Sequence, residues 1–263
     1  MTDYQVYAVR YGEHVNRAAG LNLLGADPHD SPMPMDFFVW VIIGNGRTFV
    51  VDTGFDTEMG KIRKRDVTRP VAEGLRASGI DLEDVTDVIV THMQYDHVGN
   101  HELFPNARYH LQEKEMHFCT GACMCYSHLR HPFAVEDVLR MVRRVFEGRV
   151  VYYDGSAEIA PGLSVHWVGG HSVGLQIVRV KTARGFVVLA SDSSHYYANF
   201  EQRIPFPIVV NVDDVLNGYD TLYELASSPA HIVPGHDPLV TSRYPLLKQG
   251  LEGVVRLDVD PVG

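Results

Sequence analysis

Apolar positions along the chain fall first into runs too short for helices. Residues 37–43 (Phe37, Phe38, Val39, Trp40, Val41, Ile42, Ile43) and 47–52 read as strands flanking Gly44-Asn45-Gly46. Gly and Asn tolerate the positive φ that a tight hairpin turn demands, and no third glycine opens a helix as a dinucleotide loop would require. The spacing predicts a helix over 69–79, starting near Pro70 and stopping at Gly79. The β-branched run Val85 to Thr91 reads as a buried strand, and residues 107–111, after Pro105, as another. Helices are expected over 112–118 and 134–147, the second with apolar residues at 135, 138, 139, 142, 145 and 146 on one face. Strands return at 149–153, 163–168, 175–181 and 186–191, and Ile232-Val233 is strand-like before Pro234-Gly235-His236. Strand clusters at both ends, with helices between and after them, predict two sheets with helices outside.

Composition narrows the setting. At 263 residues and 45% hydrophobic, the chain can bury a large core without disulfides or a partner subunit. No linker or repeat divides it, so one domain over 1–263 is expected. The formal charge of −10 argues against nucleic acid or an anionic membrane as partner and leaves small neutral or cationic molecules open. Met1-Thr2-Asp3-Tyr4 lacks the layout of a secretory signal, and no apolar run approaches the ~20 residues a membrane helix needs. Three cysteines, an odd number, fit a reducing compartment, so a cytoplasmic protein is expected.

Four polar points follow apolar strand-like runs: Thr91-His92-Met93-Gln94-Tyr95-Asp96-His97, Gly169-Gly170-His171-Ser172, Ala190-Ser191-Asp192-Ser193 and Val233-Pro234-Gly235-His236-Asp237. Imidazole and carboxylate are the natural ligands of zinc and neighbouring first-row ions. A sheet holds a ligand at a strand's end rigidly, and a neighbouring glycine lets backbone approach the metal. One such point would mean little; four in succession point to a metal centre.

These residues resemble the metallo-β-lactamase superfamily, whose signature is His-x-His-x-Asp-His followed by separate His, Asp and His ligands. The resemblance runs from Asp52-Thr53-Gly54 to Gly235-His236, and Tyr95-Asp96-His97-Val98-Gly99-Asn100 and Ser191-Asp192-Ser193-Ser194 look most like the N-acyl-homoserine lactonase group. It implies an αββα sandwich with metals at one edge of two mixed sheets. It assigns His92, Gln94 and His171 to a first metal, Asp96, His97 and His236 to a second, and Asp192 to both. The implied cofactor is one or two Zn2+, with Mn2+ or Fe2+ as alternatives. The implied reaction opens a small cyclic ester or amide by attack of a metal-bound hydroxide on the carbonyl, with Asp96 orienting the water and relaying its proton. A thioesterase or amidase of the same fold, or a binding protein on a degenerate metal site, are the alternatives.

Two departures stand out. Gln94 occupies the place of the motif's second histidine. Its amide oxygen can ligate, only one metal can bind, or catalysis is lost. The tyrosine that lactonase relatives carry three residues beyond the bridging aspartate is here His195, followed by Tyr196 and Tyr197; His195 or Tyr196 is expected to hydrogen-bond the developing oxyanion. Cys119, Cys123 and Cys125 lack the spacing of structural zinc and are expected as reduced thiols in a helical cap around 112–148, with Met116, Phe118, Met124 and Tyr126. That segment can equally shape a partly apolar substrate pocket or form a homodimer interface. Arg140, Arg143, Arg144 and Arg149 read as a solvated helix face, and no concentrated basic pocket is evident.

Overall fold

The computed structural model describes residues 3–27, 29 and 31–262. Met1 and Thr2, on which the reading of the N-terminus partly falls, lie outside the described residues. In chain order the strands are β1 (Gln5–His14), β2 (Met35–Gly44), β3 (Arg47–Val51), β4 (Asp66–Val67), β5 (Asp87–Ile89), β6 (Arg108–Gln112), β7 (Val150–Tyr153), β8 (Ala157–Ala160), β9 (Leu163–Trp167), β10 (Gln176–Thr182), β11 (Gly185–Ser191), β12 (Ile232–Pro234) and β13 (Val254–Arg256). They form two mixed sheets. One runs β13-β1-β2-β3-β5-β6-β7, with β4 on β1, and the other runs β12-β11-β10-β9-β8. The β2–β3 hairpin closes through Asn45 and Gly46, both with positive φ, as the turn reading requires.

Strand β2 shows why the sheets stack. Its alternate residues Phe38, Trp40 and Ile42 enter the core shared with β10 and β11, while Phe37, Val39 and Val41 enter a second core beneath the outer helices. The helix Val71–Ala77 supplies Val71 and Leu75 to the outer core of the first sheet. On the other side the helix Val212–Leu225 supplies Val215, Tyr219 and Leu222 to the core of the second. Both faces of each sheet are therefore covered, which is the αββα sandwich. Among the described residues no helix is long and apolar enough to cross a membrane.

The differences from the sequence reading have local causes. The run from Val85 keeps strand pairing only over Asp87–Ile89, because Thr91 turns away to bond Asp52 and, through its carbonyl, the Gln176 N–H of the other sheet. Strand β1, not anticipated, lies inside the first sheet with Val6 and Ala8 in one core and Tyr7, Val9 and Tyr11 in the other. The helix Val135–Phe146 buries Val138 and Met141, but Val135, Leu139 and Phe146 of its expected apolar face are exposed.

His101 is fully buried, and neither ring nitrogen has a hydrogen-bond partner among the described residues. Burial, with Arg144, Arg140 and Arg149 nearby, lowers its pKa to about 3. As pH falls below 6.5 the unfolded chain takes up this proton and the native one does not, so native stability falls. Wild type is expected to lose roughly 2 kcal/mol more than His101→Leu between pH 6.5 and 4.5 in denaturant unfolding. Parallel stability curves for the two proteins would rule this out.

Candidate metal centre

The four polar points converge at one edge of the sandwich. Strand β3 delivers Asp52, β5 leads into His92 and the short helix Tyr95–Val98, β9 into the His171 loop, β11 into Asp192, and β12 into His236. Asp52 and Ser191 both adopt positive φ, uncommon for residues with a Cβ, where their chains leave the sheets. The loops are sewn together. Ser191 Oγ donates to Thr91 Oγ1 at 2.9 Å, and Thr91 Oγ1 donates to Asp52 Oδ2 at 2.8 Å. The His236 N–H donates to the His195 carbonyl, and the Gly235 N–H to that of Ser194, each at 2.9 Å. At Gly235 a Cβ would meet the Ser191 carbonyl oxygen at 2.6 Å, so only glycine permits this approach.

Asp192 stands at the centre, and its two oxygens face different imidazoles. Oδ1 lies 2.9 Å from His236 Nε2 and 3.3 Å from His97 Nε2. Oδ2 lies 3.0 Å from His195 Nε2, 3.3 Å from His171 Nε2 and 3.8 Å from His92 Nε2. Potential ligand atoms of His92, His171 and Asp192 lie within 4.8 Å of one another, as do those of Asp96, His97 and His236, and those of Asp192, His195 and His236.

Three of the inward Nε2 atoms are aimed by what Nδ1 bonds, whereas His195 Nδ1 is buried without a partner among the described residues and its ring is held by Phe206 instead. His97 Nδ1 meets Asp52 Oδ2 at 2.7 Å, His171 Nδ1 the Ile208 carbonyl at 2.7 Å, and His236 Nδ1 the Asp36 carbonyl at 2.9 Å. With Nδ1–H donating, Nε2 is left as a lone pair. Burial pushes His171 and His195 down to about 4, and burial with the neighbouring His97 holds His92 well below the ordinary histidine value. Burial opposes charge on His97 and His236 too, but the carboxylates around them, Asp192 first, raise both.

The residues fit a metal on a structural observation. His92 Nε2, His97 Nε2, His171 Nε2, Asp96 Oδ1 and Asp192 Oδ1 are buried without a hydrogen-bond partner among the described residues. His97 Nε2 and Asp192 Oδ1 are only 3.3 Å apart, yet neither satisfies hydrogen-bond geometry. Leaving such atoms unmatched costs about 1–3 kcal/mol each. Lone pairs that crowd together without bonding one another are those of a ligand shell. At metal–ligand distances of about 2.0–2.1 Å, tetrahedral donor atoms stand about 3.3 Å apart, close to the separations around Asp192.

The cluster opens into a cavity of about 360 Å³ that Gln94, Asp96, His171, Asp192, His195 and His236 line together with Phe37, Tyr95, Phe206 and Ile208. Gln94 is buried, makes no side-chain hydrogen bond among the described residues and faces this space. The His195 ring lies flat on Phe206, centroids 3.6 Å apart and 4° from parallel. Tyr196 does not line the cavity. Its hydroxyl donates to the Pro34 carbonyl at 3.2 Å, because the chain turns into a helix at Tyr197 and carries the ring into the core. Of the segment around 112–148, His131 and Pro132 reach the main cavity, and Phe118, Leu129 and Phe133 line a small recess beside Gln94. Cys119 is buried, Cys125 exposed, and among the described residues no cysteine belongs to a group that could hold a metal.

Three contributors escaped the sequence reading. Glu115, fully buried, accepts from the Met93 N–H at 2.9 Å, the Gly174 N–H at 2.8 Å and Ser172 Oγ at 2.6 Å, so one carboxylate ties the His92 loop to the His171 loop. Tyr11 Oη donates to the Asp96 carbonyl at 2.8 Å and fixes that backbone. Arg17, Arg63, Lys64 and Arg65 line the cavity, a basic concentration the sequence reading did not expect. None of these residues sits beside a metal-binding motif in the sequence.

A family model described as the metallo-beta-lactamase superfamily matches residues 38–236. An N-acyl homoserine lactonase of Bacillus cereus is 28% identical over 134 residues, 50% of this chain and 48% of that protein. The chain thus spans about half the length of the first curated relatives it matches. The N-acyl homoserine lactonase AttM of Azorhizobium caulinodans is 26% identical over 261 residues, 90% of this chain and 95% of that protein. A solved quorum-quenching N-acyl homoserine lactone lactonase superposes with a TM-score of 0.76 at 21% identity, covering 91% of this chain and 94% of that one. AidC, a dizinc quorum-quenching lactonase, does so with a TM-score of 0.70 at 13% identity over 90% and 89%.

Proposed function

Since this chain belongs to the metallo-beta-lactamase superfamily, we propose that it is a metal-dependent hydrolase that opens a lactone or a similar small cyclic ester or amide. The observation that supports this best is the set of buried, unpartnered donor atoms around Asp192 beside an accessible cavity. A binding protein on a decayed centre would have no use for such costly atoms.

Asp96, His97 and His236 with Asp192 Oδ1 would hold one divalent cation, zinc by the chemistry of these donors. The other would sit on the side of Asp192 Oδ2. There His195 Nε2, at 3.0 Å, stands closer than His92 or His171. We assign the fourth place to His195 rather than Gln94, so the imidazole absent at 94 returns from a different loop. When bound, the metals would acidify a water and polarise the substrate carbonyl. Asp96 lies in the cavity with Oδ1 free, where it orients the attacking water and carries its proton to the leaving oxygen or nitrogen. Gln94, not needed for charge balance, is free to hydrogen-bond the substrate. Phe206 holds the His195 ring in one plane, and Phe37, Tyr95 and Ile208 exclude water from the bound ring.

Metal analysis of protein purified without added metal tests the ligand assignment. Wild type and Gln94→Ala are expected to carry about two ions per chain, and His195→Ala about one. Loss of an ion from Gln94→Ala with His195→Ala unchanged would return the fourth place to Gln94. Absence of metal from all three proteins would overturn the hydrolase reading itself.

A further inference from the structure

The cavity leads from the acidic and histidine-rich cluster to a wall of a different kind. Arg63, Lys64 and Arg65 arrive together at the end of the helix Thr57–Arg63, where Lys64 takes a left-handed conformation. Arg17 reaches the same cavity from the loop after β1. In a chain of net charge −10, four cations on one small cavity are not background.

Their charges are not spent on one another's behalf. Lys61 on the same helix pairs with Glu58 at 2.6 Å, but none of the four has a carboxylate within 4.0 Å among the described residues. The guanidinium bonds go to neutral acceptors. Arg63 donates to the His131 and Phe133 carbonyls at 2.6 and 3.1 Å, Arg65 to the Arg63 and Lys64 carbonyls at 2.9 and 3.1 Å, and Arg17 to Asn22 Oδ1 and the Leu21 carbonyl at 2.6 Å each. These bonds hold the groups in place without neutralising them. Nε of Arg63 and of Arg65 is buried and without a partner among the described residues. Aromatic rings brace the cluster, with Arg63 over Tyr95 at 4.5 Å and Arg17 over Phe206 at 5.4 Å. Their field is felt locally: burial, then Arg65 and Arg17, push the nearby His14 down to about 4.

We infer that the substrate carries an anionic group, a carboxylate in the simplest case, which Arg17, Arg63, Lys64 and Arg65 seat at the cavity wall while its scissile carbonyl reaches the metal centre. This inference rests on the hydrolase reading for the scissile bond but not for the anion. Planar guanidinium groups suit a planar carboxylate, and Arg17, Arg63 and Arg65 are half-buried, which strengthens the attraction over that of fully exposed cations.

The test compares binding of adipate and hexanoate to the purified protein by calorimetry. Each probe has one carboxylate for the metal centre, and only adipate has a second for the basic wall. Adipate is expected to bind about tenfold tighter or more, with the preference shrinking in high salt. Arg65→Met and Lys64→Met should each reduce it, and Lys64, exposed and with no side-chain hydrogen bond among the described residues, gives a variant that leaves the fold alone. Equal binding of the two acids, or a preference that survives both substitutions, would overturn the inference. Turnover of N-hexanoyl- and N-adipoyl-homoserine lactone separates the two readings. Hydrolysis of the neutral lactone without an adipate preference overturns the anionic substrate and keeps the hydrolase. An adipate preference, lost in both variants, with no lactone, ester or amide turned over does the reverse.

Discussion

Asp192→Asn is expected to lower kcat/KM on the order of 10³-fold or more and to remove at least one metal ion per chain. Both Asp192 oxygens have imidazole nitrogens within 3.3 Å, so under the proposed assignment this carboxylate is shared between the two ligand sets. Asparagine keeps the shape but replaces one carboxylate oxygen with an NH2 that has no lone pair to offer a metal, and it removes the negative charge that would balance the bound cations. Loss of several kcal/mol of charge stabilisation corresponds to a rate loss of about this size. Asp52→Asn makes a graded comparison. It leaves Asp192 in place and disturbs the 2.7 Å bond that orients His97 together with the bonds Asp52 accepts from Thr91, and a loss of about 10- to 100-fold is expected. Metal analysis and steady-state kinetics on the same preparations check both. An Asp192→Asn protein that keeps two ions and full turnover would remove Asp192 from the centre.

Glu115→Ala is expected to cost about 3 kcal/mol of stability or more. The substitution leaves the Met93 and Gly174 N–H groups and the Ser172 hydroxyl buried without an acceptor, and each orphaned donor costs about 1–3 kcal/mol. Burial pushes the Glu115 carboxyl up, so part of the cost of holding it charged is relieved when it goes, which keeps the expected loss below the simple sum. Glu115→Gln retains one acceptor oxygen and should fall between the two. Denaturant unfolding gives the difference. A Glu115→Ala protein as stable as wild type would mean that water replaces the carboxylate. The same variant should loosen the metal centre, because His92 and His171 sit beside the two loops that Glu115 joins.

Much of the architecture was legible because it rests on local repetition. The runs over 37–43, 163–168, 175–181 and 186–191 are apolar and β-branched enough to commit to strands wherever they lie. The hairpin at Asn45-Gly46 needs only its own two residues. Strand β1 was less legible. Arg10 and Gly12 interrupt its alternation, and its register slips between those two residues, so its place inside the sheet depends on β2 and β13. The exposed side of the helix Val135–Phe146 was misjudged for a related reason: apolar spacing names a face but not whether anything packs against it.

The histidine and aspartate motifs were likewise visible, since a ligand must follow directly on the strand that holds it. Gln94 could be seen as a gap in that pattern, but nothing local shows that His195 stands 3.0 Å from Asp192 Oδ2. Nor did three consecutive basic residues, Arg63, Lys64 and Arg65, declare a pocket until Arg17 met them across it.

By itself, the amino-acid sequence determined most of the strands, because they depend on residue type and near neighbours, while the resemblance carried by its motifs implied the sandwich class and the histidine and aspartate ligand candidates. Only the tertiary structure decided which imidazoles face which oxygen of Asp192, that Glu115 ties two distant loops, that Tyr196 turns into the core, and that four cations share one wall. Those are contacts between segments far apart in the chain, and their geometry is set by how the two sheets pack rather than by any stretch of sequence.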